Sequence, residues 1–447
     1  MTSEKSAPMA TAPIAVFGAT HLSSVVAGAL ASVGYRVNLT AQDCPALQDL
    51  KRGIPPVFEP DLEPLLKRAL ADGTLVVSEH VGDQLRDADL VYYAKDVIKT
   101  EAGVDMDDII ASMELICREK TSGFTMVISS QFPVGTCDAL ATMLNRSRQH
   151  PVRLAYVPEF LRLGAALSLF THQDYTIIGC ADQGVFDQCE PIFRNFSSNI
   201  FRMSLKEGEM AKHIANIFVA TSVSLLSEMT IVADRMGIDL TPVGKALRFD
   251  KRIGPKAYIL PGLGFTGGNL ERDIKVLAAK IREFGETPRM LQAIVETNDH
   301  HNRVVGRRLD ELFDSYVGKT IAFLGATYKP FTDTLVGSLT LDIGRAILAK
   351  GASVTTYDPM IEPHEAGPGE IHVCATVEQC IAGADAVVVM VDKPEFRGLT
   401  PAFYRAHAKA TVLLDAANLY DPRTFIQDGF TYCAIGRGTP WSRAVGP

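Results

Sequence analysis

IAVFGAT, residues 14–20, recurs far down the same chain as IAFLGAT, residues 321–327. Each is an apolar run closed by a glycine and two small residues, the pattern of a buried strand feeding a tight turn. Two further segments repeat in the same order. GYRVNLTAQD (34–43) returns as GASVTTYDPM (351–360), and ADLVYYAKD (88–96) as ADAVVVMVDK (384–393). Three repeats in one order predict two similar nucleotide-fold halves. In the first half a helix rich in Ala and Val follows the opening strand. TLVVSE (74–79), FTMVISS (124–130) and LAYVPE (154–159) then continue a series of short strands spaced by helical segments. That alternation predicts a doubly wound parallel sheet.

Between the halves the periodicity changes. Met210, Ile214, Phe218, Leu225, Met229 and Val232 fall at helical spacing and predict one long helix over 204–237. More helix follows to about residue 314. The expected fold is therefore α/β, two Rossmann-type doubly wound domains joined by a long-helix middle domain. The expected boundaries are 1–203, 204–317 and 318–447. A long apolar helix joining two domains is also a dimerisation surface, so a homodimer is expected.

The composition bounds the class. Of 447 residues, 47% are hydrophobic and 21% charged, as in an ordinary soluble globular chain. A net charge of −8 argues against a general nucleic-acid binder. No apolar run looks long enough for a membrane span, and the opening MTSEKSAPMATAP reads as a disordered tail without a signal core. The eight cysteines form no CxxC pair. They read as reduced thiols of a cytoplasmic protein, and no metal site is expected.

One loop interrupts the helical middle: YILPGLGFTGGNLERD, residues 258–273. Pro261 stiffens it, and Gly262, Gly264, Gly267 and Gly268 let its backbone approach a ligand closely. It opens into the helical run IKVLAAKIREFG, whose start favours phosphate groups. Taken alone, it is equally a solvated turn.

The ordered motifs FEPDLEPLL (58–66), FPVGT (132–136), PEFLRLGAAL (158–167), EMAKHIAN (209–216), DKRIG (250–254), GLGFTGGNLERD (262–273), GATYKPFTDT (325–334), YDP (357–359) and DAANLYD (415–421) span nearly the whole chain. On them the sequence resembles the UDP-glucose/GDP-mannose dehydrogenase family. The resemblance implies an N-terminal NAD domain, a dimerising helical middle, a C-terminal nucleotide-sugar domain, and an active site between the two α/β domains. Members oxidise the C6 alcohol of a nucleotide sugar to a carboxylate with two NAD, holding the aldehyde on a cysteine. Carried over by register, Lys212 and Asn216 hold the water or developing alkoxide. Asp273 is a base or orienter, and Glu159 ends a strand at the ligand. The implied cofactor residues are Gly18, Thr20, His21, Leu22, Asp43 and Thr136. The implied substrate residues are Phe160, Leu161, Arg162, Tyr258, Gly264, Phe265, Gly268 and Lys329, with Arg252 reaching the partner subunit's substrate.

The departures are as informative. The family's catalytic cysteine falls at Asn269, whose carboxamide cannot form a thiohemiacetal. The threonine of STVPVGT falls at Gln131, and the second glutamate of EFLREG at Leu163. The arginine after KPxTDD falls at Val336, and that of DGRN at Ala417. GxGxxG reads Gly18-Ala-Thr20-His-Leu-Ser23, and the ribose-binding acid falls at Ala41, with Asp43 two residues on. The implied function is an NAD-dependent oxidoreductase acting on a CH–OH group of a nucleotide sugar and limited to two electrons. The alternatives are an NAD-retaining, epimerase-like enzyme and a nucleotide-sugar-binding pseudoenzyme.

Overall fold

The computed structural model describes residues 12–96, 99–100, 103–146, 148–364, 367, 369–409 and 411–438. The tail expected at the N-terminus lies outside them. The chain divides into two compact units, one ending at Ile214 and the next beginning at Ala215.

The first unit is built on β1 (Ile14–Phe17), β2 (Val37–Thr40), β3 (Leu75–Ser78), β4 (Leu90–Tyr93), β7 (Phe124–Ile128), β8 (Val152–Tyr156), β9 (Thr176–Cys180) and β10 (Ile200–Met203), with a small separate hairpin of β5 (Lys99–Thr100) and β6 (Gly103–Val104). The strand order is β10-β9-β8-β7-β4-β1-β2-β3. Neighbours run parallel except β8 and β9, which are antiparallel. Ile14 and Val16 enter one core and Ala15 and Phe17 the other, so both faces are covered and the run is apolar throughout. The sequence did not predict β9 and β10. β10 is the edge strand, its Phe201 and Arg202 are exposed, and it lacks the continuous apolar signal of a central strand.

β1 lies between β2 and β4, which makes the carboxyl ends of these strands the switch point where α/β sheets take ligands. Gly18 ends β1 with φ 139°, and a Cβ there would stand 2.7 Å from the carbonyl oxygen of Ala94. Only glycine fits that approach.

The second unit repeats the plan with β11 (Thr320–Leu324), β12 (Ser353–Tyr357), β13 (His372–Val373), β14 (Ala386–Val389), β15 (Val412–Asp415) and β16 (Thr431–Ala434). Their order is β13-β12-β11-β14-β15-β16, all parallel. As predicted, residues 321–327 supply a central strand.

The long helix runs from Leu205 to Met236, 32 residues, starting in the first unit and continuing into the second. Ile214, Phe218, Leu225, Met229 and Val232 are 40–70% exposed. This stripe therefore faces away from the chain's own core. The helix also corrects the expectation that nothing is apolar enough for a membrane span: by length and a mean hydropathy of 1.5 over 18 residues it qualifies. The apolar residues are interleaved with Ser and Thr, so no unbroken run announces them. Helices Leu240–Leu247, Asn269–Glu283, Arg289–Asn302 and Val304–Leu312 follow. The helix after the glycine loop starts at Asn269, ahead of the apolar run at Ile274, because its first turn is polar.

Candidate functional site

At the first βα turn, the residues that replace glycines do structural work. Thr20 is the N-cap of helix His21–Ser32. Its hydroxyl accepts the Ser23 N–H at 3.3 Å and donates to the Ala94 carbonyl at 2.9 Å, and the Ser23 hydroxyl accepts the Thr20 N–H at 2.8 Å. This is a reciprocal capping box. Leu22 turns its side chain into the core. His21 is mostly buried, with neither ring nitrogen hydrogen-bonded among the described residues and Nε2 3.5 Å from the Glu59 carboxylate. Burial lowers its pKa, and the charge of Glu159 opposes that shift.

The repeat explains which turn is open to a dinucleotide. By register of the repeated segments, Asp358 stands where the first half has Ala41. The Asp358 carboxylate accepts the N–H groups of Ala326 and Thr327, both at 2.9 Å, so the second GAT turn is filled by an internal anion. Ala41 has no carboxylate to do the same at the first. Asp43 is exposed just past β2, accepting a 2.5 Å hydrogen bond from Gln48. The Gly18 cradle, the helix start beyond it and the Asp43 carboxylate thus fit a dinucleotide. Thr136 opens the helix Thr136–Asn145, but the flanking N–H groups of Gly135 and Cys137 already bind the buried Glu209 carboxylate at 2.6 and 2.8 Å. Burial raises the Glu209 pKa against these bonds. Nothing in the sequence pattern announces this internal anion.

Lys212 is buried, its side chain 7% exposed. Its ammonium donates to the Glu159 carbonyl, lies 3.9 Å from the Glu159 carboxylate, and sits 4.7 Å over the ring of Phe160. Glu159 turns its other oxygen to the Leu161 N–H at 2.6 Å. The structure thus brings Lys212, Glu159, Phe160 and Leu161 together, while Arg162 is exposed. Glu159 does not end the strand as expected. β8 stops at Tyr156 and the ladder at Val157, because Pro158 has no N–H to continue it. Glu59 holds the segment that follows, accepting the N–H groups of Gly164 and Ala166 at 3.0 and 2.6 Å.

Asn216, one helical turn beyond Lys212, belongs to the second unit. Its amide donates to Asp273 at 2.5 Å. Asp273 is fully buried, and its other oxygen takes Arg272 Nε at 3.3 Å. Asn269 is the exposed first residue of its helix, behind Gly268 in the left-handed region at φ 74°. Gly267 packs so closely on Tyr328 that a Cβ would come within 2.6 Å of its ring. Lys329 Nζ lies 4.8 Å from the centre of the same ring. Asn418 donates to the Pro261 carbonyl at 3.0 Å, His301 Nε2 bonds the Gly262 carbonyl at 2.8 Å, and the Tyr328 hydroxyl donates to the Thr266 carbonyl at 3.2 Å. None of these loop-holding partners stood out in the sequence. Gly264 and Phe265 lie in the loop they hold. Tyr258 and Arg248 wall a cavity of about 160 Å³ between the long helix and the loop. Arg252 projects outward, 87% exposed and paired with Asp250.

Residues 12–197 match the NAD binding domain of the UDP-glucose/GDP-mannose dehydrogenase family, 206–300 its central domain and 322–422 its UDP binding domain. The UDP-glucose 6-dehydrogenase YwqF of Bacillus subtilis is 27% identical over 429 residues, 95% of this chain and 97% of that one. The UDP-glucose 6-dehydrogenase of Pseudomonas aeruginosa is 29% identical over 441 residues, again 95% and 97% of the two chains. Among solved structures, a UDP-glucose dehydrogenase from Pyrobaculum islandicum superposes with a TM-score of 0.83 at 25% identity, over 92% of this chain and 99% of that one. A UDP-D-ManNAc dehydrogenase from Pyrococcus horikoshii, at 23% identity, shares the fold with a TM-score of 0.84 over 96% and 100%.

Proposed function

Because the chain belongs to the UDP-glucose/GDP-mannose dehydrogenase family, with its NAD-dependent enzyme type, we propose that it oxidises a CH–OH group of a nucleotide sugar and stops after two electrons. The limit rests on Asn269, which opens the helix behind the glycine loop where the sequence resemblance puts the family's cysteine, and on the lack of any cysteine between residues 190 and 373. NAD, when bound, supplies the hydride acceptor. Gly18, Thr20, His21, Leu22, Asp43 and Thr136 would hold it. The buried Lys212 ammonium stabilises charge developing on the substrate oxygen. Asp273, oriented by Asn216, takes up the hydroxyl proton. Glu159 fixes Lys212. Phe160, Leu161, Arg162, Tyr258, Gly264, Phe265, Gly268 and Lys329 bind the nucleotide sugar. The binding-only alternative rests on the altered Gly18–Ser23 turn, which the Thr20–Ser23 cap accounts for without loss of the cradle at Gly18.

The test is direct. NAD raises the melting temperature of the purified protein, and one of a panel of UDP- and GDP-sugars gives NADH. Neither stabilisation by NAD nor NADH from any of these sugars would move the protein to the binding-only reading.

We further propose a cytoplasmic homodimer of chains divided at 1–203, 204–317 and 318–447. The support for the dimer is the stripe of exposed apolar residues on the long helix, together with Phe249, 90% exposed. An exposed apolar stripe of this kind marks an interface. Arg252, also outward, is the residue offered to the partner's substrate. Phe218→Glu with Leu225→Glu should convert a dimer to a monomer by light scattering. A wild-type monomer at micromolar concentration contradicts the proposal.

A further inference from the structure

Loop 261–268 lies outside regular secondary structure, yet side chains from separate parts of the second unit hold its backbone. At its centre Asn298, 4% exposed on the helix Arg289–Asn302, takes both backbone groups of Phe265. Its Oδ1 accepts the N–H at 2.8 Å and its Nδ2 donates to the C=O at 3.0 Å. A carboxamide is suited to this, since it presents a donor and an acceptor side by side. Asn302 donates to the same carbonyl at 3.1 Å. The contact is tight: a Cβ on Gly264 would come within 2.5 Å of Asn302 Oδ1 and closer still to Asn298 Oδ1. Gly264 is thus glycine because the asparagines press on it.

We propose that Asn298 is a positioning residue that sets the nucleotide affinity of the glycine loop. The inference rests on the reading above that this loop binds the nucleotide sugar. Asn298 acts through the loop and not on the substrate. It fixes the backbone of Phe265, and with it the glycines on either side, in the binding conformation. Without it the Phe265 N–H loses its partner and the C=O keeps only Asn302, and the loop must be ordered again each time a ligand binds.

The probe is UDP, with NAD as control because its residues belong to the first unit. Calorimetry on wild type, Asn298→Ala, Asn298→Asp, Gly264→Ala and the Asn298→Ala/Gly264→Ala pair reads the affinities. Asn298→Ala should weaken UDP about tenfold with NAD affinity unchanged, as expected for the loss of two hydrogen bonds. Asn298→Asp should weaken it too, since a carboxylate cannot donate to the Phe265 carbonyl. Gly264→Ala should weaken UDP by itself. Its added effect should shrink in the double variant, because one of the two side chains it strikes is gone. If Asn298→Ala does not fold, Gly264→Ala reads the same contact from the loop side. Wild-type UDP affinity in Asn298→Ala, or a parallel fall in UDP and NAD affinity, overturns the inference and leaves the function reading intact. A wild type that binds no UDP or UDP-sugar overturns both.

Discussion

Asp358→Ala should destabilise the second unit by about 3–5 kcal/mol, the cost of breaking a buried ion pair from one side. Asp358 is fully buried and Lys393 beside it is 2% exposed, with Nζ 3.0 Å from Oδ1. Lys393 Nζ has no hydrogen-bond partner among the described residues, so the Asp358 carboxylate is there as its counter-charge. The same carboxylate takes the Ala326 and Thr327 N–H groups, the Thr327 hydroxyl at 2.8 Å and the Met360 N–H at 3.0 Å. Alanine would leave a buried ammonium without its counter-charge and strip four donors of their acceptor. For a unit of this size the melting temperature should fall by roughly 10 °C. Lys393→Met should be milder, since Asp358 keeps its backbone partners. The check is chemical denaturation of all three proteins. An Asp358→Ala variant within about 1 kcal/mol of wild type, a typical surface effect, would show that the pair is not the anchor of this turn.

What made the pair necessary also explains what was legible. The repeated GAT turns and the strands behind them are local patterns, with both sheet faces covered and hence unbroken apolar runs, so the sequence declared them. The Asp358 carboxylate in the second turn follows from the repeat only once hydrogen bonds are seen. The edge strand β10, half exposed, lacks that pattern, whereas the interior β9 is a short run, TIIGC, buried throughout, that the expected strand series left out. Lys212 and Asn216 were found by register alone, because nothing in a helical sequence says which lysine is buried. Asn298, His301, Asn302 and Asn418 were missed because they act on backbone distant in sequence, and an asparagine bonded to a carbonyl carries no periodicity. Glu209, sealing the start of the helix at Thr136, was missed for the same reason. The glycines that the loop quoted were visible. The side chains that make them necessary were not.

The largest change in chemistry is expected at Asn269. Wild type should release one NADH per sugar and an aldehyde, or a ketone if the sugar binds differently, because a carboxamide cannot hold the product for a second oxidation. Asn269→Cys restores a thiol at the first residue of a helix, where the dipole favours the thiolate. That thiolate adds to the aldehyde carbon, and a second hydride transfer turns the adduct into a thioester. Release as an acid then needs an activated water. In family register the groups for that step fall at Leu163 and Gln131, an apolar side chain and a buried neutral amide. Asn269→Cys should therefore give a burst of about two NADH per active site, one for each oxidation, and then arrest with the sugar-nucleotide acyl group on the protein. Intact-protein mass and burst kinetics measure both outcomes. Sustained acid release by Asn269→Cys would show that water is activated without Leu163 and Gln131. A wild-type protein that yields a uronic acid with two NADH would place the nucleophile elsewhere in the chain.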